Sequence, residues 1–107
     1  SAGFRIGPGE IEDCLIGHPA VKLAAAVGKP DPIRTEIVKC YIVLESGFEE
    51  NDATRLEIIT HVRSRLSAHE YPREVEFVSE MPLTTTGKVI RRTFRERAEA
   101  ESQKSNT

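Results

Sequence analysis

The sequence predicts an α+β fold, a small domain in which helices cover a short β-sheet of about three main strands, preceded by an extended N-terminal hairpin segment. Three observations predict it. Apolar residues recur at helical spacing in two separate stretches, residues 11–15 and 56–66. Between them lie two runs rich in small or β-branched apolar residues, 21–28 (VKLAAAVG) and 37–44 (IVKCYIVL), joined by Lys29, Pro30, Asp31 and Pro32. Finally, 107 residues with 38% hydrophobic and 30% charged side chains suffice for one modest core and leave no room for a second.

Taken in order, the opening Ser1-Ala2-Gly3-Phe4-Arg5-Ile6-Gly7-Pro8-Gly9 is punctuated by glycine and proline and reads as a loop or hairpin. Ile11, Cys14 and Leu15 at i, i+3, i+4 predict a short amphipathic helix that stops at Gly17-His18-Pro19. The alanines of 21–28 also suit a helix, but one that must end within about three turns at the prolines, so strand is the better reading. Residues 37–44 form the second strand. Asp52 is the expected cap of the longest helix, whose buried face is marked by Leu56, Ile59, Val62 and Leu66 with Arg63 at its charged edge. Tyr71-Pro72-Arg73 ends that helix, residues 75–78 make a short third strand, and Met81-Pro82-Leu83 leads into the polar loop Thr84-Thr85-Thr86-Gly87-Lys88. A basic helix is expected over 89–98. Residues 1–98 then form the domain, and 99–107 are a polar tail that frays or is disordered. The helices are expected to pack on one face of the sheet.

A formal net charge of −2 gives no basic footprint for nucleic acid, and no apolar run reaches the length of a membrane span. The first residues lack the pattern of a secretory signal. Cys14 and Cys40 sit inside apolar segments and read as small core residues, and His18, His61 and His69 lie too far apart for a metal site. These features suit a reducing, cytoplasmic compartment.

Two stretches could carry chemistry. Lys88 stands in a hydroxyl-rich, glycine-jointed loop directly before a basic helix, where a compact cation on a flexible stem suits a carboxylate or phosphate oxygen. A solvated turn before a charged helix face accounts for the same residues, and the spacing is not that of a P-loop. Arg5, set between Gly3 and Gly7, can approach a phosphate with a two-pronged contact, but an ordinary hairpin with a surface arginine fits as well.

Residue types alone leave both stretches open. In sequence, GFRIGPGEIE (3–12) and PLTTTGKVIRR (82–92) resemble the adenylate-forming superfamily of acyl-CoA synthetases, peptide-synthetase adenylation domains and luciferases. HPAV (18–21), KPDPIRTE (29–36) and YPREVEFV (71–78) match in the same register, so the resemblance covers nearly the whole chain apart from its tail. It implies the C-terminal domain of an AMP-forming acyl-CoA synthetase, a ligase that converts a carboxylic acid, ATP and CoA to acyl-CoA, AMP and diphosphate. In this reading Lys88 is the catalytic lysine that contacts the carboxylate and α-phosphate during adenylation, and Arg5 shares the ATP or adenylate site. The domain then rotates, and Gly3, Phe4 and Arg5 come to the CoA site with Arg34, Arg63, Tyr71, Pro72 and Arg73. Gly3 leaves the thiol path open. Acylation of Lys88 by a lysine acyltransferase, reversed by a deacylase, would remove its charge and stop the first half-reaction.

The same resemblance places the nucleotide motifs, the acyl pocket and the hinge in a large N-terminal domain of the same polypeptide, where Mg2+ is also expected, so these residues alone are not expected to be active. The segments Ile6-Gly7-Pro8 and 71–78 look like short- or medium-chain or aromatic acid synthetases that use free CoA in fatty acid metabolism. A carrier-protein-dependent adenylation domain and a non-catalytic binding module of the same fold are the alternatives.

Overall fold

The structure, a computed structural model, describes residues 8–33, 35–66, 72–87 and 89–105. The elements run α1 (Pro8–Ile16), β1 (Val21–Asp31), β2 (Thr35–Leu44), α2 (Asp52–Arg65), β3 (Glu74–Phe77) and α3 (Arg91–Ser105). The expected N-terminal hairpin segment lies outside the described residues.

The sheet order is β1-β2-β3. β1 and β2 form an antiparallel ribbon with Ala25 opposite Tyr41, whereas β3 runs parallel to β2 with Val75 opposite Cys40. A parallel neighbour needs a long crossover, and α2 is that crossover.

Helices cover both faces of the sheet, not the single face expected. On one side Ile11 and Leu15 of α1 and Ile58 and Val62 of α2 pack on Ala24, Ala26, Cys40, Ile42 and Val75. On the other, Phe94 and Ala98 of α3 pack with Met81 on Ala25, Val27, Tyr41 and Val43. Side chains alternate along a strand, so a strand buried on both faces reads as a continuous apolar run, which is the pattern of residues 21–28. A shift of register between Val21 and Leu23 puts Val21 on the α1 side although Leu23 faces α3.

Three local expectations are corrected. Asn51, not Asp52, caps α2, its Oδ1 accepting from the Thr54 N–H at 2.9 Å. The buried face of α2 is Thr54, Ile58 and Val62, with Ile59 and Leu66 partly buried beside it, and Leu56 is 64% exposed. Leu56 is two residues from Thr54, about half a turn around the helix, and so points away from the sheet. The last helix starts at Arg91, because Val89 pairs with Leu83 instead, and it continues past Ala98 to Ser105.

Candidate functional site

The loop ahead of α3 is a closed, stem-bearing hairpin. Met81 is buried at its entrance. Leu83 and Val89 face each other in an antiparallel bridge, and the Ile90 N–H donates to the Pro82 carbonyl at 3.1 Å. Further out, the Gly87 N–H donates to the Thr84 carbonyl at 2.9 Å, and the Thr84 and Thr86 hydroxyls lie 3.0 Å apart. Gly87 has φ +87°, a left-handed conformation that closes the turn and that side-chain-bearing residues resist. Residues 82–87 are exposed. Lys88 follows Gly87 directly in sequence and itself lies outside the described residues.

Two sets of ion pairs that sequence reasoning missed hold the helix leaving this loop. Arg91 donates to both carboxylate oxygens of Glu12 on α1, Nε to Oε2 at 2.7 Å and Nη2 to Oε1 at 2.8 Å, and Glu12 Oε2 also accepts from the Ala26 N–H of β1 at 2.8 Å. At the other end of α3, Glu101 pairs with Lys39 of β2. Lys39 Nζ also donates to Glu76 at 2.9 Å, Lys29 donates to Glu74 at 2.9 Å, and Arg97 pairs with Glu76. Lys39 Nζ and Arg97 Cζ lie 4.8 and 5.2 Å from the centroid of the Tyr41 ring, and the ring stacks on Phe94. The Tyr41 hydroxyl is buried without a hydrogen-bond partner among the described residues.

The electrostatics follow from this packing. Burial acts to lower the Lys39 ammonium's pKa, but its hydrogen bonds to Glu101 and Glu76 outweigh burial and raise it, so the charge is held. Burial acts to raise the Glu101 pKa, and the bond to Lys39 with the charges of Lys39, Lys29 and Arg97 overcomes it to leave the carboxyl below its ordinary value. Burial pushes the Cys40 thiol far up, and raises Cys14 against the opposing charge of Arg65, which makes both poor nucleophiles. The one sequence signal for this network was Lys39 itself, a lone cation inside the apolar run of β2.

Of the residues expected at the CoA site, Gly3, Phe4, Arg5, Arg34 and Tyr71 lie outside the described residues. Arg63 is exposed in the last turn of α2. Pro72 is fully buried, and Arg73 is exposed with its backbone N–H tied to the Val38 carbonyl at 2.9 Å. Arg73 lines an open cleft of about 470 Å³ at the β3 edge together with Arg55, Glu50 and β3 itself, and Arg63 is not part of that lining. Arg55 is held there by its Nε donating to the Val75 carbonyl at 3.1 Å and by the Phe77 ring. Among the described residues no group of three or more His, Cys, Asp or Glu is placed to hold a metal, and no helix is long and apolar enough to cross a membrane.

The family described as AMP-binding enzyme C-terminal domain matches residues 10–88. The chain is 50% identical to the human mitochondrial acyl-coenzyme A synthetase ACSM1 over 91% of its own length, and 45% identical to the acetyl-coenzyme A synthetase of Bacillus subtilis over 89%. It spans 17% of the length of each of these relatives. Among solved structures it superposes on an acyl-CoA synthetase of Brucella canis with a TM-score of 0.86 at 48% identity, covering 96% of this chain and 19% of that one. It likewise superposes on the anthranilate CoA ligase AuaEII, solved in complex with anthranoyl-AMP, with a TM-score of 0.85 at 35% identity, covering 95% of this chain and 20% of that one. With a family match that begins in α1 and ends on Lys88, the chain belongs to the AMP-binding enzyme C-terminal domain family.

Proposed function

We propose that this chain is the mobile C-terminal domain of an AMP-forming acyl-CoA synthetase and that Lys88 supplies the cation for its first half-reaction. The observation that carries the reading is the hairpin that leads into Lys88, a loop closed at its stem and jointed at Gly87, with residues 82–87 exposed, at the end of the family match. In adenylation a carboxylate oxygen attacks the α-phosphorus of ATP, the bond to the β-phosphate oxygen breaks and diphosphate leaves. That step brings anions together, so a lysine at the attacking oxygen and α-phosphate stabilises both approach and transition state. The CoA thiol then attacks the acyl carbonyl and AMP departs. For the second step Gly3, Phe4 and Arg5 stand at the thiol path, with Arg34, Arg63, Tyr71, Pro72 and Arg73 toward the nucleotide end of CoA.

Buried Pro72 would act there by shaping the chain, and exposed Arg63 and Arg73 by meeting phosphate. The large N-terminal domain holds ATP, Mg2+ and the acid. Lys88 is also the site where a lysine acyltransferase and deacylase would switch the enzyme. The free, unreactive cysteines fit a reducing compartment, the cytoplasm or its equivalent inside an organelle.

In the full-length protein, Lys88→Ala is expected to lower acid-dependent ATP–diphosphate exchange by about a hundredfold or more, while CoA still takes the acyl group from supplied acyl-adenylate. Gly3→Leu is expected to do the reverse. Unchanged exchange in Lys88→Ala rejects the assignment.

A further inference from the structure

We infer that Glu12 and Arg91 are a positioning pair that seats the Lys88 loop for adenylation, a role that rests on the function proposed for Lys88. The cross-links described within the loop run between residues 82 and 90 and preserve its shape. Attachment to the domain comes from the apolar packing of Met81 and Val89 and, just beyond the stem, from Arg91. Met81 is buried on the entering side. On the leaving side Arg91 reaches across to Glu12, and the next buried residue of α3 is Phe94, most of a turn further on.

Arg91 grips both oxygens of the carboxylate in a fork, a geometry that sets direction as well as distance. Glu12 is a firm partner, because its side chain is only 14% exposed and Oε2 is held by the Ala26 N–H at the centre of β1. Without this pair the hairpin keeps its own bonds and the apolar packing of Met81 and Val89, but loses the directional tie that fixes its tilt together with the first turn of α3. A lysine that must meet a reacting oxygen and the α-phosphate together tolerates little such movement. The thioester step, which in the proposed cycle uses the opening segment instead of this loop, does not depend on it.

The test uses the full-length enzyme with Arg91→Ala, Arg91→Lys and Glu12→Gln, and with Arg92→Ala as control, since Arg92 pairs only along its own helix with Glu96 among the bonds described. Arg91→Ala and Glu12→Gln are expected to lower kcat for acid-dependent ATP–diphosphate exchange on the order of tenfold to a hundredfold, with KM for ATP and acyl transfer from supplied acyl-adenylate unchanged. Arg91→Lys, which keeps the charge but loses the fork, should fall between, and Arg92→Ala should match the parent. Equal losses in both half-reactions, or no loss in exchange, overturn the inference. Lys88→Ala in the same assay separates the two ideas: if it abolishes exchange and Arg91→Ala does not, the positioning pair alone fails, whereas if Lys88→Ala leaves exchange intact the functional reading fails with it.

Discussion

His18 shows how a single residue links packing to pH. Its ring meets His61 edge to face with centroids 5.1 Å apart where α1 ends against α2, and its Nδ1 accepts the Ala20 N–H at 3.1 Å. That acceptor exists only in the neutral ring. Burial and the neighbouring charge of His61, with a smaller contribution from Arg65, hold the His18 pKa below 6.5 against the opposing pull of Glu57. The unfolded chain therefore binds the proton more readily, so this contribution is complete above pH 6.5 and is lost as pH falls toward the folded-state value. The thermal midpoint should drop between pH 7 and pH 5, and His18→Asn, which keeps a side-chain acceptor without the titration, should flatten that drop. An unaltered slope in the variant would place the pH dependence elsewhere. In the sequence His18 was one of three scattered histidines, and nothing local paired it with His61. Gly87 was legible because turn chemistry is local. The contact of Arg91 with Glu12 was not, because it joins residues 79 positions apart.

At the level of elements, α3 was the hardest to delimit. After Phe94 and Ala98 the helix offers only Ala100, which is exposed, so hydrophobic spacing marks no buried face there. Charge holds the rest, through Glu101 to Lys39 and Arg97 to Glu76. Removing the central cation leaves Glu74, Glu76 and Glu101 gathered around an apolar side chain, with Lys29 and Arg97 the cations described beside them. Lys39→Met is expected to cost about 2 kcal/mol, less than the loss of a fully buried pair because the glutamates still meet water. Chemical denaturation of parent and variant measures it, and a neutral result would mean that the network orients α3 without stabilising it. The buried face of α2 is likewise not marked by hydrophobicity alone. Leu56 fits an apolar count, but Thr54 and Ile58 fill the buried stripe.

For the whole molecule, the α+β class and the order of elements were readable from alternating periodicities, whereas the two-sided covering of the sheet was not, since periodicity gives a face and not its partner. The two apolar clusters share β1 and β2 and differ in which residues of those strands they use. Loss of either bares one face of the same ribbon, so the clusters should unfold together. The chain has no tryptophan and two tyrosines, of which Tyr41 is fully buried against Phe94. Near-ultraviolet dichroism from Tyr41 and far-ultraviolet dichroism from the backbone should trace one transition in denaturant. An earlier loss of the Tyr41 signal would show that α3 detaches on its own.

Ala24, Ala25 and Ala26 stand at the middle of that ribbon, all buried, with α1 on one side and α3 on the other. A methyl group is all that each position shows to the helix over it. The alanines are bounded in size from both directions: glycine would slacken the strand, and valine would press a helix outward. Natural variation in side-chain volume should therefore be pushed to the ends of the run, at Leu23 and Val27, where larger side chains already stand.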